Sequence, residues 1–198
     1  FLERIKIQQR NWIGMSEGSE IVFPLKGASA KESKKILIGT RNEAKFKMLT
    51  ECFPKDLAIT FLSLNDVEVD DSSLVEGQDF QENAKKKAEF YFKATGIPTI
   101  STDHILWLAK WPKDNGYMIH LRKEANPLSE RATDEECAAF LKTWVTSVGG
   151  ECPAHFEYAI AFADERGSQN FVSYQRKYTL QAVQSKTFWE GYPTESLL

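Results

Sequence analysis

Apolar and polar positions along the chain follow two periods, and the switches between them mark the elements. Ile36-Leu37-Ile38 is a short continuous apolar run that reads as a buried strand. It breaks at Gly39-Thr40-Arg41-Asn42, and a helical pattern follows over residues 43–52. Met48, Leu49, Cys52 and Phe53 give that helix an apolar face, and Pro54 lies just beyond its end. Residues 57–64 read as a second strand. Residues 64–77 are acidic and turn-rich, with Asp66, Glu68, Asp70, Asp71 and Glu76. Such a run is a solvated loop, or a loop in which one acid holds a divalent cation.

Residues 78–95 carry the clearest helical pattern. Phe80, Ala84, Ala88 and Tyr91 recur at helical spacing, and Gly96 follows as a C-terminal cap. Glu82, Asn83, Lys86 and Lys87 are expected on other faces, with at least two of Lys85, Lys86 and Lys87 solvated. Residues 97–102 predict another buried strand. It delivers Asp103 at its carboxyl end, where open α/β sheets place ligand chemistry; a lone Asp there also serves as an ordinary cap. Residues 105–109 predict a short helix packed on the core, and residues 111–127 a loop. Thr133-Asp134-Glu135-Glu136 has the form of a capping box. The helix it opens has Cys137, Phe140, Leu141 and Trp144 as its buried stripe and ends at Gly149-Gly150. Residues 155–163 alternate as a strand, 164–168 turn, and 171–183 form the antiparallel partner. This long hairpin is a candidate for a dimer contact. Residues 1–34 read as an N-terminal extension and linker without evident chemistry, and residues 187–198 as a loop.

Composition narrows the class. At 198 residues, 42% hydrophobic and 27% charged, the chain is expected to be a soluble globular domain with at most an appendage. A net charge of −3 argues against broad attraction to a nucleic acid polymer or an anionic membrane, while leaving room for a local basic pocket. Cys52, Cys137 and Cys152 are odd in number and form no C-x-x-C pair, so a reducing, cytoplasmic setting is the default. No apolar stretch is long enough to span a membrane. The chain starts at Phe1 rather than Met, as a processed, trimmed or excised polypeptide would.

The strand-to-helix turn at residues 39–45 carries the first candidate chemistry. It gathers backbone N–H groups, the positive end of a helix dipole, the Asn42 side-chain amide and the Lys45 cation, which together suit phosphate. The Walker pattern is absent. Taken alone, the turn reads first as an ordinary strand–turn–helix with Asn42 as N-cap, and the rest of the chain has to decide.

Four segments in order extend this reading. Thr40-Arg41-Asn42-Glu43-Ala44-Lys45 is similar to T-G-N-x-x-K, and Asp79-Phe80-Gln81-Glu82-Asn83-Ala84-Lys85-Lys86-Lys87-Ala88 to T-F-x-E-N-A-x-x-K-A. Ser101-Thr102-Asp103-His104-Ile105-Leu106 matches A-D-D-S-G-L in part, and Ala132-Thr133-Asp134 opens the fourth motif. From about Lys35 onward the chain resembles the inosine triphosphate pyrophosphatase (Ham1-like) family. The resemblance implies an α/β protein of the ITPase-like (Maf/Ham1) fold: a long, twisted mixed sheet with flanking helices and a cleft between two lobes. It implies Mg²⁺-dependent hydrolysis of non-standard purine nucleoside triphosphates (ITP, dITP, XTP) to the monophosphate and pyrophosphate, and a homodimer. Asn42 and Lys45 would hold the triphosphate, together with Thr40, Arg41 and Lys87. Asp103 would bind the metal and act as base toward the attacking water, with Lys45 beside it in the catalytic set. Glu76, one position after the place that Val75 holds, is the candidate for a further metal-binding acid.

The departures define what else the chain could be. Thr102 replaces an acid, His104 and Ile105 replace Ser-Gly, and Arg41 replaces a Gly that would bare the backbone for phosphate. His104 is carried as a substrate contact. Gly191-Tyr192-Pro193-Thr194-Glu195 is a loose echo of the family's purine-binding segment, and the final helix with its S-H-R motif has no counterpart. Two alternatives follow: a nucleotide-binding or scaffold protein that keeps the fold without turnover, and a related pyrophosphatase with another base preference.

Overall fold

The computed structural model describes residues 2–6, 22–26, 34–118, 121–128, 132–183, 191, 193, 194 and 197. Its elements, in chain order, are β1 (Leu2–Lys6), β2 (Val22–Lys26), β3 (Lys34–Ile38), α1 (Glu43–Glu51), β4 (Ile59–Ser63), α2 (Phe80–Thr95), β5 (Thr99–Leu108), β6 (Tyr117–Met118), α3 (Leu121–Ala125), α4 (Asp134–Ser147), β7 (Glu151–Asp164) and β8 (Gly167–Gln181). The architecture is mixed α/β. β1 and β2 pair antiparallel as a sheet of their own, and the main sheet has the order β4-β3-β5-β7-β8, with β6 on β5. β3 is parallel to both β4 and β5, whereas β6 runs antiparallel. Packing divides the chain into two compact units, Phe1–His104 with Tyr158–Tyr174, and Ile105–Glu157 with Gln175–Leu198.

In the first unit, successive residues of β3 point to opposite faces of the sheet. Ile36 and Ile38 join Leu49 of α1 and Cys52 and Phe53 just past its end, together with Ile100, Ile160 and Phe162. Leu37, between them, packs with Leu64 and Tyr91 of α2. Ala84 and Ala88 of α2 lie against Ala159, Ala161 and Ala163 of β7, a contact of methyl groups flanked by Phe80 and Phe92 of the same helix. Asp79 caps α2 through bonds from the Gln81 and Glu82 amides, and Gly96 ends it at φ 68°, in the left-handed region. Gly39 is placed by crowding: an added Cβ would stand 2.2 Å from Ser101 Oγ and 2.9 Å from a Tyr91 ring carbon.

In the second unit, α4 begins with the complete capping box, Thr133 accepting from the Glu136 amide and Glu136 from the Thr133 amide. Its buried stripe is Cys137, Ala138, Leu141 and Val145. Phe140 and Trp144, expected in that stripe, are half-buried and make edge contacts with Trp111.

Four further expectations are corrected. Residues 105–108 are strand, not helix: Leu106 and Leu108 are buried while Ile105 and Trp107 are half-buried, a period of two, and β6 pairs with Leu106 and Trp107. A short apolar run suits either element, and the pairing partner decides it. Asp103 therefore lies inside β5 rather than at its carboxyl end. Asn83 and Lys87 are buried with Ala84 and Ala88 instead of lying on other faces of α2. The expected loop after Trp111 contains β6 and α3. The loop expected over residues 187–198, and Trp12 and Ile13, lie almost wholly outside the described residues.

The three cysteines are buried and free. Burial, with the Glu51 charge adding to it, pushes the Cys52 thiol up to about 12, and burial also raises Cys137. The native protein is expected to leave all three thiols unreacted with Ellman's reagent at neutral pH, and denaturant to release them. Gly39→Ala should lower stability by about 1–3 kcal/mol through overpacking. The urea-unfolding midpoint measures it, and the added change Ser101→Ala should recover part of the loss.

Candidate functional site

β3 ends at Ile38, opposite Ile100, and the Gly39 amide closes the ladder on the Ile100 carbonyl at 2.7 Å. β5 runs on past the end of β3, carrying Asp103 and His104 beside the turn that follows β3. The interior position of Asp103 thus still faces the carboxyl end of a parallel strand, the usual place for ligand chemistry. The turn is closed by its own side chains. Thr40 Oγ1 accepts from the Asn42 amide at 3.1 Å, and Asn42 Oδ1 accepts from the Lys45 amide at 3.0 Å, making Asn42 the N-cap of α1. This engages the Asn42 oxygen and leaves its amide nitrogen as the group suited to an anion.

Alternation along β5 sends Asp103 toward α2 and His104 toward α1. Lys87 Nζ stands 3.3 Å from Asp103 Oδ1 and 3.0 Å from Glu76 Oε1. The Lys87 side chain is 11% exposed and that of Asp103 15%, against 53% for Glu76. A lysine so desolvated needs carboxylate partners, and it has two. Glu76 is held in reach by Asn83, whose Oδ1 accepts from the Gly77 amide at 2.7 Å while its Nδ2 donates to the Gly77 carbonyl at 3.0 Å. On the other face of β5, Lys45 Nζ approaches His104 Nδ1 at 3.2 Å, and the His104 ring stacks on Tyr158 with centroids 5.4 Å apart.

Arg41 turns toward the acidic loop. Its Nε and Nη2 donate to Asp71 Oδ2 at 3.4 and 3.3 Å, and Nη2 also reaches the Val69 carbonyl at 3.3 Å. Tyr91 OH donates to the same Asp71 oxygen at 3.0 Å. Burial, reinforced by that bond, raises the Tyr91 phenol above its ordinary range, so it remains a donor at physiological pH. Thr40, Arg41, Asn42, Phe46, Ser63 and Asp66 line a cavity of about 380 Å³ at this end of the strands.

The candidate residues therefore come together as two groups on the two faces of β5, Lys87-Asp103-Glu76 and Lys45-His104, while Arg41 is drawn to Asp71. Asn83, Asp71, Tyr91 and Tyr158 were not singled out as site residues. The signal for Asn83 was available, because residues 83, 87 and 91 share the four-residue spacing of one helix face. Asp71 and Tyr158 are brought in by tertiary packing alone.

Comparison with known families settles the lineage. A model described as the Ham1 family matches residues 36–178, well over half of the chain. The chain belongs to the Ham1 family. Solved structures with a similar fold include a nucleoside-triphosphatase / dITP/XTP pyrophosphatase from Mycobacterium abscessus, 20% identical with a TM-score of 0.56, where the match covers 81% of this chain and 82% of that one. A HAM1 protein from Coxiella burnetii is 18% identical with a TM-score of 0.55, covering 83% and 81%. The Ham1 protein of Staphylococcus aureus is 19% identical with a TM-score of 0.54, covering 81% and 80%. At such identities the likeness establishes the fold.

Removing the Asn83 clamp should loosen Glu76. Asn83→Ala is expected to cost about 1–3 kcal/mol, because the Gly77 amide and carbonyl lose their partner. Hydrogen exchange at the Gly77 amide should accelerate by more than the global change in stability explains.

Proposed function

We propose that this Ham1 chain is a hydrolase that cleaves nucleoside triphosphates of non-standard purines, ITP, dITP or XTP, to the monophosphate and pyrophosphate with Mg²⁺. One observation carries the reading: a nearly buried lysine ammonium, Lys87, held between the carboxylates of Asp103 and Glu76. Family membership supports it, as does the fold shared with a protein described as a nucleoside-triphosphatase / dITP/XTP pyrophosphatase.

The donor set fits the cation. Among the described residues there is no group of three or more His, Cys, Asp and Glu poised for a metal. Mg²⁺, however, takes one or two protein carboxylates and completes its shell with phosphate oxygens and water. Asp103 and Glu76 supply those two carboxylates. When bound, the ion would neutralise phosphate charge and polarise the scissile phosphoryl group.

The chain's own residues do the rest. Lys45 and Lys87 offset the triphosphate charge from the two faces of β5. Thr40 and Asn42 shape the turn so that the Asn42 amide nitrogen and the first α1 amides meet phosphate oxygens. Asp103, whose carboxylate is held against Lys87, takes the proton of the attacking water. Arg41 reaches the triphosphate only by exchanging Asp71 for phosphate, and His104 stands beside Lys45. A homodimer in the cytoplasm completes the proposal; among the described residues no helix is long and apolar enough to cross a membrane.

Thr102 is the observation that favours a second reading. It is buried where the resemblance calls for another acid, which suits a chain that binds nucleotides without turning them over. Pyrophosphate release from a panel of nucleoside triphosphates separates the two. Release is expected with a non-standard purine substrate, to stop with EDTA, and to fall by at least about 100-fold in Asp103→Asn, the span expected for loss of a general base. Measurable nucleotide binding with no release from any member of the panel overturns the hydrolase.

A further inference from the structure

The Lys45–His104 contact fixes a chemical state as well as a position. A lysine ammonium has donors only, so at 3.2 Å the His104 Nδ1 is the acceptor. An imidazole that accepts at Nδ1 carries its proton on Nε2. The ring is clamped from its face by Tyr158, at an interplanar angle of 26°. Its place in β5 fixes the backbone that carries it. A long, flexible lysine is thereby tethered at its tip by a group that is itself packed. Lys45 leaves the first turn of α1, beside the amides that Asn42 caps. The tether thus sets where one positive charge stands relative to that helix end.

We infer that His104 is a positioning residue for Lys45: its Nδ1 holds the ammonium in the place from which it grips a polyphosphate. The inference rests on the phosphate-binding reading of Lys45 and assigns His104 a role distinct from contact with the base or from filling space. A residue that merely filled space would be replaceable by any flat ring. One that works through Nδ1 is replaceable only by a side chain with an acceptor at that point. Asn offers an oxygen near the Nδ1 position, Gln near the Nε2 position, and Phe retains the stack on Tyr158 with no acceptor at all.

Calorimetric titration with inorganic tripolyphosphate, without metal, reads this directly and independently of turnover. His104→Phe and His104→Gln are expected to weaken binding by about tenfold, in the range of coupling between contacting residues. His104→Asn is expected to bind within about twofold of the wild type. Lys45→Ala should weaken binding too, and Lys45→Ala/His104→Phe no further than Lys45→Ala alone. Circular dichroism confirms that each variant is folded. Wild-type tightness in His104→Phe, additive losses in the double variant, failure of His104→Asn to restore binding, or no binding by the wild type would each overturn the inference. The expected binding pattern in a chain that releases no pyrophosphate leaves the inference standing and removes the hydrolase instead.

Discussion

A buried ammonium is tolerated only where carboxylates meet it, and that requirement at Lys87 organises much of the first unit. Lys87 lies on the same face of α2 as Ala84, Ala88 and Tyr91, so seating the helix against the sheet carries the charge inward. Alanines on both sides of the α2–β7 contact let the helix come close enough for Nζ to reach Asp103 on β5. The second partner, Glu76, comes from a loop, and Asn83 on the same helix ties that loop down through both polar groups of Gly77. Helix, strand and loop are thus fixed by one electrostatic demand, which apolar packing makes it possible to meet.

Much of this was legible in the sequence where local chemistry decides. The β3–α1 turn, the capped start of α4, the end of α2 at Gly96 and the β7–β8 hairpin all rest on short-range signals. The reading failed where a neighbour decides. Residues 105–108 have no strong preference until β6 pairs with them, and the interior place of Asp103 follows from that pairing. The α2 pattern was read by apolar residues alone, and this hid Asn83 and Lys87, whose polarity is compensated by groups distant in sequence. The candidate site was legible as a set of residues; its division between the two faces of β5 required the register of the sheet.

Arg41 shows how a departure from the family pattern is absorbed. A glycine at that place would leave the turn bare, whereas the guanidinium sits half-exposed against Asp71 and the Val69 carbonyl. Asp71 is in turn anchored by the Tyr91 hydroxyl, so the acidic loop is pinned at one end by Arg41 and Tyr91 and at the other by Asn83. The acids of this loop that seemed interchangeable by composition are therefore unequal. Asp71 serves the fold, Asp66 closes its own turn on Ser63, and Glu76 faces the site.

The alanine contact beneath α2 has a mechanical consequence. Side chains that end at Cβ have no rotamers to rearrange, so where alanine meets alanine the helix has no soft layer on which to slide. The Lys87 end of the site is consequently stiff. Glu76, half-exposed, is the carboxylate of the pair that solvent reaches, so a ligand approaching the ammonium from outside meets it before Asp103.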